Sequence, residues 1–290
     1  MKDESEFIKN YDIKKYEQPS VAADIAVFTV KNIPENNYRK LDKKSLQLLM
    51  VKRGKPPFED FYALPGGFAM KTETVDNTAK RELHEETGVD GIYMEQLKTT
   101  STPGRDPRGW IISCAYLALV DSSRLEVCGG DDASEARWFD ISMKKISENF
   151  TEASDKAIKT SVYDLTLTSD DKILTCRVSE IVCAALSGRK RSLTVISSEG
   201  IAFDHAEIIA EALLELRRKT AENGTAFNLL PEKFTMADLQ KVYEAIMDCT
   251  ETAANFRRKM SRFVIETNEM SQGAGHRPSM YYIRNMKAFC

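Results

Sequence analysis

Three glutamates, Glu82, Glu85 and Glu86, fall at i, i+3 and i+4, a spacing that puts their side chains on one face of a helix. Such a face is a poor stability device. Like charges so placed repel by about 0.2–0.5 kcal/mol per pair. Glu85 and Glu86 also sit where the last turn would be, at the negative end of the helix dipole. A divalent cation removes both penalties. Mg2+, with Mn2+ as the alternative, takes oxygen ligands and usually shares them with substrate phosphates. The spacing alone suits a metal–diphosphate site and a solvated acidic face equally well.

The elements that must hold this face are legible on either side. Val75, Ala79 and Leu83 recur every four residues and give the helix one apolar side. Pro65, Gly66 and Gly67 predict a turn before it, and Gly88 predicts a left-handed cap after it. Residues 21–31 and 45–53 read as strands joined by a polar loop over 32–44. Residues 110–120 are too apolar to be solvated on both faces and read as a central strand. The loop before that strand, 99–110, carries arginines suited to phosphate or ribose.

Gly67, Glu73, the run Arg81-Glu82-Leu83, the pair Glu85-Glu86 and Gly88-Val89 together resemble the complete Nudix box. The resemblance implies an α/β (α+β) fold, the Nudix α/β/α sandwich with a mixed sheet. It also implies cleavage of a nucleoside diphosphate linked to a second group. In that family reading Glu82, Glu85, Glu86 and the backbone carbonyl of Gly67 hold Mg2+, which activates water for attack on phosphorus. Arg81 and Glu73 brace the cluster. Loops like PGRDPR occur in Nudix proteins that handle ADP-ribose, so Arg105 and Arg108 become candidates for contact with its diphosphate or terminal ribose. The alternative is an Asp–Arg turn that only holds itself together. Arg53 either touches phosphate or caps its strand. Asp131, Asp132 and Glu135 are candidates for a further carboxylate from outside the box.

Residues 142–200 hold two alternating runs about a Ser-Asp-Asp turn, a hairpin, followed by another strand and turn. This is more than a minimal Nudix fold needs. A helix follows from Asp204, with Ile208, Ile209, Ala212, Leu213 and Leu216 on its apolar side, and closes the domain. His205 reads as a structural hydrogen-bonding residue. Beyond it, Thr235 caps one helix, Thr250 or Thr252 caps a second, and two extended runs bracket a glycine-rich turn. That order outlines a winged helix-turn-helix. Asn255, Arg257, Arg258, Lys259 and Arg262 cluster on or after the second helix, with Arg277 in the wing, an arrangement suited to phosphates and base edges. Residues 224–290 carry nine basic against seven acidic side chains, so charge alone does not separate a DNA reader from an accessory or dimerising domain. The FDHAEII helix, the FT-ADLQ-VYEAI run and NFRRKM resemble the C-terminal domain of Nudix-related transcriptional regulators of NAD metabolism. That resemblance implies operator DNA as a partner and a homodimer.

The chain of 290 residues divides into a Nudix domain over 1–223, with a polar arm at 1–20 and the extended hairpin region at 142–200, and a winged helix domain over 224–290. An apolar fraction of 42% can bury a sizeable core. A net charge of −3 gives no whole-chain attraction to nucleic acid or membrane, and no apolar run is long enough to span a bilayer. Six cysteines without CxxC pairing read as free thiols in a reducing cytoplasm. The expected function is a regulator that binds and hydrolyses an ADP-ribose-like diphosphate to AMP and ribose 5-phosphate. A sensor without turnover, in NAD or sugar metabolism, and a pyrophosphatase with an accessory domain are the alternatives.

Overall fold

The computed structural model describes residues 4–33, 43–88, 90–124, 136–153, 155–271 and 278–289. Strand β1 (Ser20–Ile33) buries Ala22 through Val30 without a break, because both faces of the sheet are covered and the usual in–out alternation is lost. Around it lie β2 (Lys43–Lys52), β3 (Tyr62–Ala63), β4 (Gly66–Phe68), β5 (Tyr93–Thr100) and β6 (Ile111–Leu119). β1 pairs parallel with β6 and antiparallel with β2 and β4, so the sheet is mixed. Helix α2 (Val75–Thr87) covers one face, with Ala79 and Leu83 packed on Ile25, Val27 and Tyr116. Helix α3 (His205–Asn223) covers the other, with Ile209, Leu213 and Leu216 in one cluster with Phe28, Leu48 and Leu117. The expected α/β/α sandwich is present, and β6 lies inside the sheet between β1 and β5.

The region after β6 is larger than a hairpin and a strand. β7 (Ala136–Ala153), β8 (Lys156–Ser169), β9 (Lys172–Ala185) and β10 (Gly188–Glu199) form an antiparallel run that extends the main sheet in the order β10-β9-β8-β7-β2-β1-β6-β5. β7 runs for 18 residues without interruption. Its first half is anchored to β2, and its second half pairs with β8 over solvent. The 32–44 loop is also narrower than expected, since β1 reaches Ile33 and β2 starts at Lys43. The N-terminal arm carries a short helix, α1 (Glu4–Asn10), with no buried residue.

After α3 come β11 (Phe234–Thr235), α4 (Met236–Met247), α5 (Ala253–Met260), β12 (Val264–Met270) and β13 (Met280–Arg284), with sheet order β11-β13-β12. Thr235 caps α4 in a reciprocal box with Asp238, and Thr252 rather than Thr250 caps α5. Phe227, Leu239, Val242, Ile246 and Phe256 belong to the same apolar cluster as Leu213 and Leu216. The winged helix therefore shares a core with the sheet. Arg217 of α3 fastens the join, donating from Nε to the Ile246 carbonyl at 2.9 Å and from Nη1 to the Met143 carbonyl at 3.1 Å.

Candidate functional site

Close approach dictates the two glycines of β4, to neighbouring main chain at Gly66 and to a carboxylate at Gly67. Gly66 has φ 155°, and a Cβ there would lie 2.1 Å from the Ala23 carbonyl oxygen. A Cβ on Gly67 would lie 2.1 Å from Glu82 Oε1. Glycine is what lets this strand run beside the acidic face of α2. The helix itself is fixed at both ends. The Thr74 side chain accepts from the Asn77 N–H, and Gly88, at φ 68°, donates to the His84 carbonyl.

Arg81 stands among the acids of that face. Its Nη2 lies 3.0 Å from Glu73 Oε1, and its Nη1 lies 2.6 Å from Glu82 Oε1 and 3.5 Å from Glu85 Oε1. Glu73 also accepts from the Met70 N–H at 2.9 Å and the Thr78 hydroxyl at 3.0 Å. The Arg81 bonds, followed by that from Met70, hold the Glu73 carboxyl down to about 2. Glu86 is treated oppositely. Burial pushes its carboxyl up, and Glu82 and then Glu85 add like-charge repulsion.

Among the described residues, no three acidic, histidine or cysteine side chains stand close enough to grip a metal ion as placed. The donor chemistry still fits a hard divalent cation. Glu86 is raised by burial and then by the nearby Glu82 and Glu85, and Gly67 clears the main-chain approach to Glu82. A cation drawn to this face would relieve that crowding.

Of these acids, Glu86 lines a cleft together with Arg53. Two adjoining cavities of about 350 and 230 Å3 share Arg53, Ala63, Leu64 and Gly66. Glu86 lines the first, and Gly67, Arg108 and Phe203 line the second. Arg53 follows the last residue of β2, and its Nε donates to the Pro57 carbonyl at 2.8 Å. Its guanidinium lies 4.7 Å from the Phe203 ring centre, and that of Arg108 lies 5.4 Å from the same ring and 5.2 Å from Phe68. Burial, then the nearby Arg108, pushes the Arg53 pKa down. Phe203 holds φ at 55°, a left-handed backbone that an aromatic residue rarely adopts and that costs about 1–3 kcal/mol.

Arg105 has a different place from the one expected of a ligand contact. Its side chain is 5% exposed and is committed to Asp204 at 2.6 Å and Asp24 at 3.1 Å. Burial lowers its pKa, but the bonds to Asp204 and Asp24 outweigh that and leave it raised. His205 completes this buried set as the structural residue expected. Its Nδ1 accepts from the Leu64 N–H at 2.8 Å, and burial keeps the imidazole neutral by lowering its pKa. Asp24, Asp204, Phe68 and Phe203 are site residues that sequence reasoning missed. The one readable signal was Asp24, a lone acid within an apolar strand. The expected carboxylates Asp131, Asp132 and Glu135, and Arg277 of the wing, lie outside the described residues.

At the other end of the core, α5 buries Phe256 and Met260 and turns Asn255, Arg257 and Arg258 outward. Lys259 is more committed. It bonds to the Tyr243 hydroxyl and lies 4.3 Å from that ring centre. Arg262 lies 4.5 Å from the Phe263 ring.

Comparison with known proteins bears on both ends. Residues 40–159 match the model of the NUDIX domain, and residues 226–283 match that of the NrtR DNA-binding winged helix domain. Over 282 residues, 96% of this chain and 87% of the relative, the sequence is 27% identical to the ADPR responsive transcriptional repressor NtrR of Acinetobacter baylyi. Over 137 residues, 46% of this chain and 71% of the relative, it is 37% identical to the ADP-ribose pyrophosphatase of Methanocaldococcus jannaschii. The crystal structure of a MutT/nudix family protein from Enterococcus faecalis superposes with a TM-score of 0.65 at 25% identity, covering 97% of this chain and 93% of that one.

Proposed function

Because the chain belongs to the Nudix family and carries an NrtR-type DNA-binding winged helix domain, we propose that it is an ADP-ribose-responsive transcriptional repressor whose cleft binds, and with Mg2+ or Mn2+ hydrolyses, an ADP-ribose-like nucleoside diphosphate. One observation supports the joint reading above all. A cleft lined by Glu86, Gly67, Arg53 and Arg108 and an exposed basic helix are built on one shared apolar core.

In the enzymatic half, Glu82, Glu85, Glu86 and the Gly67 carbonyl would hold the cation, which would supply polarisation of the diphosphate and activation of water. Arg53 and Arg108 meet the negative charge of the diphosphate, and the Phe203 ring fixes where both point. Arg105 acts by bracing Asp24 and Asp204 in the cleft wall. Arg81 and Glu73 hold the cluster in place. The products are AMP and ribose 5-phosphate.

In the regulatory half, ligand in the cleft bears on Asp204 and His205 at the start of α3, and α3 bears on α4 through Arg217. In a homodimer acting in the cytoplasm, that movement changes the spacing of the two α5 helices and hence operator affinity. A sensor without turnover is the second reading. It is favoured by the tight hold of Arg81 on Glu82.

The test incubates wild type and Glu86→Gln with ADP-ribose and Mg2+, reading AMP release, and measures retention of promoter DNA with and without ADP-ribose. AMP from wild type alone, with DNA released by ADP-ribose, supports the whole reading. Binding of ADP-ribose without AMP from either protein leaves the sensor. No DNA retention at low salt leaves a pyrophosphatase with an accessory domain.

A further inference from the structure

Away from the cleft, a cavity of about 780 Å3 opens at the seam between the Nudix sheet and the winged helix. Its lining includes Tyr93 of β5, Asn228, Arg262, Arg284, Lys287 and Phe289. Three of these side chains are basic, and among the described residues none of the three forms an ion pair. The one carboxylate on the wall, Glu222, is bonded to Arg218.

The two arginines are held by rings instead. Arg284 lies 4.2 Å from the Phe289 ring centre, Phe289 stacks on Phe263 at 5.4 Å, and Arg262 lies 4.5 Å from Phe263 on the same column. Rings attract a guanidinium but do not neutralise it. Arg284 is only partly satisfied, since Nη1 donates to Asn228 Oδ1 at 3.1 Å while Nε is buried without an acceptor. Burial pushes its pKa down. The wall is also fixed in place, because the Asn285 N–H donates to the Phe263 carbonyl at 2.8 Å and its side-chain amide donates to the Arg262 carbonyl at 2.9 Å.

We propose that this seam cavity is a second anion site and that its ligand is a phosphorylated nucleoside. Unpaired arginines call for phosphate, which they grip with charge-assisted bonds. The volume lies within the range of about 300–1,000 Å3 typical of organic ligands and far exceeds the needs of a lone phosphate ion. The half-buried Tyr93 ring offers a face on which a base can stack. The ligand touches Tyr93 on the sheet and Arg284 on the wing, so it ties the two parts together.

The experiment uses the full chain carrying Arg53→Ala and Arg108→Ala, which disables the Nudix cleft, and titrates it calorimetrically with AMP and separately with inorganic phosphate. One AMP per chain is expected, with phosphate at least tenfold weaker. Adding Lys287→Glu, an exposed position whose reversal leaves the core intact, weakens AMP tenfold or more, and Arg284→Met does the same. Loss of all AMP binding on disabling the cleft overturns the proposal, and equal affinity for phosphate and AMP overturns its nucleoside part. A third contrary result is Lys287→Glu weakening a short DNA duplex while AMP binding is unchanged, which assigns the charge to the DNA backbone instead.

Discussion

Helices α2 and α5 both present charge, and they hold it in opposite ways. On α2 the guanidinium of Arg81 is bonded to Glu73 and Glu82, and the wall facing that helix is braced by Arg105 between Asp24 and Asp204. On α5, Arg257 and Arg258 project outward and, among the described residues, form no ion pair with a carboxylate. A small rigid ligand needs groups placed in advance, and partners within the protein supply that placement. A polyanion supplies its own partners and displaces counterions, so its receptor keeps its cations free. It follows that charge on the cleft side is felt as stability and geometry, and charge on the α5 side as affinity.

The largest effect should come from Arg105→Met. This change strands two carboxylates against a buried wall, and breaking such a pair costs about 3–5 kcal/mol. Chemical denaturation at pH 7 measures it. A loss below about 1 kcal/mol would mean that water reaches these carboxylates and that the cleft is not preorganised.

Next comes Gly67→Ala. The new Cβ meets the end of the Glu82 side chain, which can swing away, so the fold survives with little loss. The carboxylate is displaced, and a shift of about 1 Å at a reacting centre can cost roughly 100-fold in rate. AMP release from ADP-ribose reads it. Unchanged turnover in a folded variant would remove Glu82 from the reacting geometry.

Arg257→Ala with Arg258→Ala should do the reverse. Stability stays within about 0.5 kcal/mol, as for surface changes generally. DNA affinity falls, and the slope of log affinity against log salt flattens by about 2, close to one unit per lost phosphate contact. Destabilisation with an unchanged salt slope would erase the contrast between the two helices.

How much of this was legible follows the same division. The helix of the box, its Gly88 cap, the Thr235 cap and the outward face of α5 are set by residues within a few positions of each other, and the sequence displays them. The wall of the cleft is not local. Arg105 reaches Asp24 across 81 positions and Asp204 across 99, and no periodicity encodes such partners. The Phe203 ring becomes a platform only because Arg53 and Arg108 arrive from two other segments. For the same reason Arg105 and Arg108 look alike in the PGRDPR loop yet end as a buried brace and a half-exposed hand, with side chains 5% and 43% exposed. The length of β7 was hidden too, because a strand that pairs over solvent needs no apolar alternation.

The smallest effect tests that last distinction. Asp106 is buried and accepts from Arg108 through its backbone N–H at 2.9 Å, Nε at 3.0 Å and Nη2 at 2.7 Å. Burial raises the Asp106 carboxyl, but the Arg108 bonds outweigh it and leave its pKa below the ordinary value. A carboxyl so lowered contributes stability above its unfolded pKa, near 3.9, and loses it as pH falls toward the folded value. Asp106→Asn should therefore cost about 1 kcal/mol at pH 7, since its partner is half exposed, and the deficit should close as pH drops below about 4. If Arg108 serves only this turn, Arg108→Ala reproduces the same deficit and leaves ADP-ribose affinity untouched. If Arg108 meets the diphosphate, Arg108→Ala also weakens ADP-ribose by tenfold or more, whereas Asp106→Asn, which frees the guanidinium, weakens it far less. Equal losses of affinity in both variants would mean that the turn acts as one unit and that Arg108 belongs with Arg105 among the braces.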